Sequence, residues 1–323
     1  MICDVHVHAF GFATPGRANC LCEPARRSRY LRRLLAWADG LAPAGADAPV
    51  MGRLDRWLNA SGTDRAVILA LDRAYRADGT PDLAGTRAAV DNDDVADWVA
   101  PRPRAVFGAS VHPRRPDACD ELDRLAARGA RLVKWLPSAQ NIAPDDPSCF
   151  GFYERLARWR LPLLTHTGIE HMLSSFDQDL NHPRRLRPAL ERGVTVIAAH
   201  CGTRMYLHER PMFGAWRRLT QEFPNLYGDL GAFGLPMHGR PLRRILGDPA
   251  LCARLVYGSD FPAATLPLWF APVLGIRRAL ALRRIANPFD RNVETLRALG
   301  VPGAVFARGL ALLRPRDRKD GSP

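Results

Sequence analysis

His6 and His8 flank one valine in the apolar run Ile2-Cys3-Asp4-Val5-His6-Val7-His8-Ala9. Residues i and i+2 of a β-strand share a face, so the two imidazoles stand side by side. Neutral imidazole is the commonest protein ligand for zinc and similar ions, and two on one strand make half of a metal site. The plainer alternative is a pair of strand histidines that happen to alternate. A second unusual group is a lysine. Of 46 Lys and Arg residues only Lys134 and Lys319 are lysines. Lys134 lies in Arg131-Leu132-Val133-Lys134-Trp135-Leu136-Pro137, where a charge inside a strand is costly unless paired or used. Unlike arginine, a buried lysine can become a neutral amine, form a Schiff base, or take up carbon dioxide as a carbamate able to bridge two metals. Otherwise it pairs with Asp229 or Asp260, or holds a substrate carboxylate.

The elements that position these groups are short apolar runs bounded by turn signals. There are eight: Ile2 to Ala9, Ala66 to Leu71, Val106 to Val111, Leu132 to Leu136, Leu161 to Thr165, Thr195 to Ala199, Asn225 to Leu230 and Leu255 to Gly258. Helical periodicity lies between them, as in Asp120 to Ala127, Phe152 to Trp159, Arg185 to Glu191 and Phe213 to Glu222. Apolar strands alternating with helices predict a parallel sheet covered on its outer face. Eight such units predict an α/β fold, a (β/α)8 TIM barrel, whose typical size is about 250 residues. Active sites of that fold lie at the C-terminal strand ends. The first run ends in His6 and His8, the third in His112, the fifth in His166, the sixth in His200, the seventh in Asp229 and the eighth in Asp260, while the fourth carries Lys134. Barrel closure brings these groups to one mouth. Residues 1–313 are read as a single barrel domain. The segment Ala13 to Thr63 is an insertion between the first two strands, read as a lid or dimer contact, with a helix at Arg26 to Ala38. The tail 314–323 is read as disordered.

Composition narrows the function classes. With 323 residues, 47% hydrophobic and 24% charged, the chain can bury a full core. No stretch approaches the ~18 apolar residues of a membrane span, and Met1 leads directly into the first strand, so a cytoplasmic protein with no membrane partner is expected. Seven scattered cysteines do not form a disulfide framework, and Cys20 with Cys22 lacks the second pair of a zinc finger. The net charge of +13 is spread over helix faces without an RNA-binding motif. No nucleic-acid partner is therefore expected, and the charge attracts a small anionic substrate instead.

Several motifs together resemble the amidohydrolase superfamily. They are His6-Val7-His8, Val133-Lys134-Trp135-Leu136-Pro137, Leu164-Thr165-His166-Thr167-Gly168, Ala198-Ala199-His200-Cys201-Gly202 and Tyr257-Gly258-Ser259-Asp260-Phe261-Pro262. Their order covers nearly the whole chain. The later strands are most similar to the amidohydrolase-related branch that includes aminocarboxymuconate semialdehyde decarboxylase, resorcylate-type decarboxylases and several lactone hydrolases. The resemblance implies that His6, His8, His166 and Asp260 are metal ligands and that His200 is a second-metal ligand or a catalytic acid or base. Lys134 resembles the lysine of dihydroorotase-like enzymes, so one or two ions and a carbamylated Lys134 both stay open.

Three imidazoles and a carboxylate suit a divalent metal, zinc first, with manganese or iron as alternatives. Asp260 is the candidate proton acceptor and general acid, and His200 a candidate for polarising a scissile carbonyl. His112 and His171 are candidate substrate contacts, His208 could line the pocket, and Arg204 and Arg240 are candidate carboxylate clamps in loops Gly202 to Trp216 and Ala232 to Asp248. His182 and His238 read as ordinary loop residues. The expected function is metal-dependent hydrolysis of a small cyclic, amide or lactone-type metabolite through a metal-activated water. The alternative is non-oxidative decarboxylation of an aromatic or unsaturated acid, and a degenerate, non-catalytic barrel is the third class. A homodimer is possible on the insertion.

Overall fold

A computed structural model of the chain describes residues 1–12, 14–21 and 47–313. Its strands, in chain order, are β1 (Cys3–His8), β2 (Cys20–Leu21), β3 (Arg65–Leu69), β4 (Ala88–Ala89), β5 (Ala105–Ala109), β6 (Leu132–Trp135), β7 (Leu163–His166), β8 (Val196–Ala199), β9 (Leu226–Asp229) and β10 (Leu255–Val256). Eight of them form one parallel sheet in the order β1-β3-β5-β6-β7-β8-β9-β10. The sheet closes on itself through Val5 N–H donating to Tyr257 O at 3.0 Å, Asp260 N–H to His6 O at 2.9 Å and His8 N–H to Phe261 O at 3.0 Å. The eight apolar runs of the sequence are the eight barrel strands.

Alternation along the strands sorts residues inside and out. Val5, Leu69, Leu132, Leu164, Ile197 and Val256 make one apolar cluster in the barrel, whereas Val133, Trp135, Leu163, Val196 and Ala198 belong to the layer between sheet and helices. Lys134 and His166 therefore share the inward side of Leu132 and Leu164. Trp135 stacks on Phe152 of the helix Phe150–Trp159 with ring centroids 5.5 Å apart, an arrangement worth about 0.5–1.5 kcal/mol beyond area burial. β1 breaks the simple period. Its pairing with β3 shifts between Asp4 and Val7, a bulge. Before it Cys3 and Val5 join the inner cluster; after it Val7 joins the outer one, which turns His6 and His8 inward.

The described part of the insertion is fastened at its start. β2 pairs antiparallel with β4, and Asp94 on the helix Asn92–Val99 accepts from Thr14 Oγ1 at 2.8 Å and Arg17 at 2.9 Å. A helix at Asp47–Ala60 buries Met51, Leu54 and Leu58, which share one helical face. The expected helix at Arg26 to Ala38, Cys22 and the tail 314–323 lie outside the described residues. Among the described residues, no helix is long and apolar enough to cross a membrane.

Candidate metal centre

His6, His8 and Asp260 offer ligand atoms that all lie within 4.8 Å of one another. His6 Nε2 is 3.1 Å from His8 Nε2, and Asp260 Oδ1 is 3.2 Å from the first and 3.3 Å from the second. Each group is held by a neighbour on its far side. Asp229, at the end of β9, takes the Nδ1–H of His6 at 2.7 Å and fixes the tautomer that leaves Nε2 with a lone pair. The same carboxylate accepts from the His200 N–H at 2.8 Å and the Gly231 N–H at 2.9 Å. Asp4 accepts the His6 and Ser259 N–H groups at 3.0 and 2.9 Å, tying β1 to the segment after β10. Gly258 is required for this approach: a Cβ there would lie 2.8 Å from the His6 Cβ and 3.2 Å from Asp229 Oδ2.

The remaining strand ends complete the cluster. Lys134 Nζ donates to His6 Nε2 at 2.9 Å. The His200 ring centroid is 4.9 Å from that of His166 and 5.6 Å from that of His6. His200 Nδ1–H donates to Gly231 O at 3.0 Å, so in the neutral ring Nε2 is an acceptor. His166 Nε2 is buried with no hydrogen-bond partner, while its Nδ1 faces Glu170 at 3.5 Å. His200, Cys201 and Asp260 have left-handed backbones with φ of 62°, 54° and 58°. Such non-glycine strain costs about 1–3 kcal/mol per residue and gathers at functional sites.

Electrostatics favour ligand-competent forms. Burial, then Lys134, push the His6 ring down to about 4 against the pull of Asp260 and Asp229. Burial and the neighbouring His200 and Lys134 hold His166 well below the ordinary histidine value. Both imidazoles are neutral at physiological pH, the form that binds metal. Burial alone would raise the Asp260 carboxyl, yet His6, His200 and His8 outweigh it and keep it well below the usual carboxylate range. Burial lowers the Lys134 amine to about 8. Two ring nitrogens and a carboxylate oxygen turned together fit a divalent cation, which would replace the Lys134 proton on the His6 lone pair; His166, whose buried Nε2 has no hydrogen-bond partner, lies outside this three-ligand group.

Other expected contacts fall elsewhere. His112 is fully buried, with Nε2–H donating to Gln140 O at 2.9 Å and Nδ1 accepting the Arg114 N–H at 3.0 Å. Both ring nitrogens are spent on backbone, so it ties loops together and leaves none for a substrate. His112→Ala should cost about 1–3 kcal/mol of stability by stranding those groups, read as a lowered Tm with metal content unchanged; an unchanged Tm with lost substrate affinity would restore a binding role. Arg204 donates to Leu207 O at 2.8 Å and Glu209 O at 3.1 Å within its own loop. Arg240 is exposed on the helix Gly239–Leu246, within a segment expected to be loop. Neither arginine is positioned by these contacts as a clamp. His171 does reach the mouth walls: its Nε2 is 2.9 Å from Glu209 Oε1 and its ring meets Tyr206 edge-on at 5.3 Å, pinning the loop after β7 to the loop after β8. His208 is exposed and stacked on Tyr206 at 5.7 Å.

His238, expected as an ordinary loop residue, is buried in the structure. Its Nδ1 donates to Thr203 Oγ1 at 2.9 Å, because that hydroxyl spends its proton on His200 O at 2.6 Å. The ring is buried and braces the left-handed turn that carries His200. Nothing local in the sequence signals a contact spanning 35 residues.

The sequence profile of the family described as Amidohydrolase matches residues 3–299. No curated protein matches the chain. Among solved structures, an uncharacterised TIM-barrel protein from Bordetella bronchiseptica is 18% identical with a TM-score of 0.61, the match covering 93% of this chain and 99% of the other. A 5-carboxyvanillate decarboxylase from Sphingomonas paucimobilis is 14% identical with a TM-score of 0.49, covering 98% and 99%.

Proposed function

Because the chain belongs to the amidohydrolase family, we propose that it is a metal-dependent hydrolase of a small lactone, cyclic ester or amide. The observation that carries this reading is the turning together of His6, His8 and Asp260, with the buried Nε2 of His166 left without a hydrogen-bond partner. These four residues would hold a divalent cation, which when bound supplies Lewis acidity and lowers the pKa of water. Asp260, kept ionised by the surrounding imidazoles, has a carboxylate free of its own proton and is the candidate acceptor at this mouth. It takes the proton of the attacking water and returns it to the leaving oxygen or nitrogen. His200 serves as an acceptor or ligand through Nε2; it cannot donate to a developing oxyanion unless it first gains a proton, which narrows the carbonyl-polarising role expected of it. Asp229 and Asp4 position His6 and the chain after β10 without reaching the substrate.

Hydrolysis is favoured over decarboxylation by how the loop arginines are used. Among the described residues, Arg204, the expected clamp for a substrate carboxylate in the loop after β8, is already bonded to its own loop carbonyls, which supports a neutral ester or amide as substrate. The discriminating experiment follows metal-reconstituted protein on a panel of lactones, cyclic amides and aromatic or unsaturated acids, recording acid release and carbon dioxide together. Acid release without carbon dioxide is expected from a lactone or amide. Carbon dioxide from a carboxylic acid, with no hydrolysis of any panel member, would contradict the proposal.

Lys134 sets the number of ions. A neutral amine fraction beside His6 can take up carbon dioxide as a carbamate, giving a second site with His200 and His166. Lys134→Arg puts a permanent charge there and is expected to weaken metal binding; Lys134→Met keeps bulk without charge. One metal equivalent lost in Lys134→Ala and restored by a short carboxylic acid would support the bridge. Full metal content and activity in Lys134→Arg would reduce Lys134 to a structural role.

A further inference from the structure

Three short helices after β10, Pro267–Phe270, Ala271–Leu274 and Ile276–Arg283, expose apolar side chains that the barrel does not bury. Trp269, Val273, Ile276 and Leu280 are 66%, 64%, 59% and 38% exposed. On the helix Ile276–Arg283 the side toward the core is supplied by Ala279 and Leu282, which are buried. Ile276 and Leu280, one turn apart, form a separate outward stripe. A solvated helix face is normally polar, and a gathered exposed apolar face marks a contact surface.

The charges around the stripe are of one sign. Arg277, Arg278, Arg283 and Arg284 are exposed, and no Asp or Glu occurs between Asp260 and Asp290. Among the described residues none of these four side chains is in an ion pair, whereas Arg124, Arg128, Arg184, Arg185 and Arg187 all are. Arg283 and its C-cap neighbour Arg284 follow Ile276 and Leu280 by a further turn, which sets positive charge at the end of the apolar stripe.

We propose that this face docks on the surface of an anionic phospholipid bilayer. Aliphatic and Trp side chains enter the interface while the arginines meet lipid phosphates and carboxylates, the pattern of an in-plane anchor. Charge complementarity selects this occupant. A second copy paired through the same face would set four arginines against four with no acidic partner nearby. A surface contact needs no spanning segment, so the absence of one in the sequence does not oppose it. The proposal is independent of the reaction catalysed.

The test is co-sedimentation of the full-length protein with phosphatidylcholine vesicles and with vesicles holding about 30 mol% phosphatidylserine. Two double variants accompany it, Ile276→Ser with Leu280→Ser and Arg277→Glu with Arg278→Glu; both leave Ala279 and Leu282 in place, and circular dichroism and light scattering are recorded on each. Binding only to the anionic vesicles is expected, weakened by salt, with about a tenfold or greater loss in each variant. No binding to either vesicle, or binding unchanged in both variants, would overturn the proposal. So would a wild-type dimer that both variants split into monomers, which would assign the face to a second copy.

Discussion

Asp260→Asn is expected to lower turnover by about 10²–10⁴-fold, the usual weight of a positioned proton-transfer group. The amide keeps the shape of the carboxylate and its place between His6 and His8, at 3.2 and 3.3 Å in the native chain. It removes the charge that those imidazoles stabilise and the basicity that accepts a proton. The loss should fall on kcat, because the group acts on the reacting proton more than on the bound ground state. Circular dichroism and Tm separate this outcome from misfolding, and metal content by elemental analysis separates it from loss of the cation that Asp260 would also hold. Near-native turnover in a folded Asp260→Asn would remove Asp260 from the proton path.

His8→Ala is expected to strip the protein of metal and of activity together. The His8 side chain is 27% exposed, so its removal leaves the interior packed. His6→Ala should do the same with an added stability loss, since Asp229, fully buried, loses the N–H it accepts at 2.7 Å. Asp229→Asn tests the positioning step in between: metal affinity should fall about 10–100-fold, as when an outer partner of a ligating histidine is lost. Metal content by elemental analysis reads all three, and His8→Ala holding a full equivalent would contradict the proposed ligand set.

Much of the barrel was legible because both faces of each strand are buried, which makes a run such as Val196–Ala199 continuously apolar. The strand ends also placed the candidate residues in readable form: His6, His8, Lys134, His166, His200 and Asp260 cluster at one mouth. What the sequence hid depends on long-range geometry. The bulge that brings His6 and His8 inward is a register shift against β3, invisible in the chain of β1 alone. His112 comes three residues after β5 ends, whereas His166 closes β7, and the ring nitrogens of His112 find backbone partners. The helix Gly239–Leu246 was masked by Pro241, which sits in its first turn, where a missing N–H costs no intrahelical bond. The helix Asp47–Ala60 did leave a signal, the spacing of Met51, Leu54 and Leu58. His238 and Thr203 became visible only through the turn they brace.

The central claim is that His6, His8, His166 and Asp260 hold a catalytic divalent cation. Anomalous X-ray scattering from crystals of the reconstituted protein, collected across the metal absorption edges, tests it most directly. The account predicts a peak at about 2.0–2.2 Å from His6 Nε2, His8 Nε2, a His166 ring nitrogen and an Asp260 oxygen. Crystals with no peak at this site after reconstitution, or with the metal held by other residues, would contradict it.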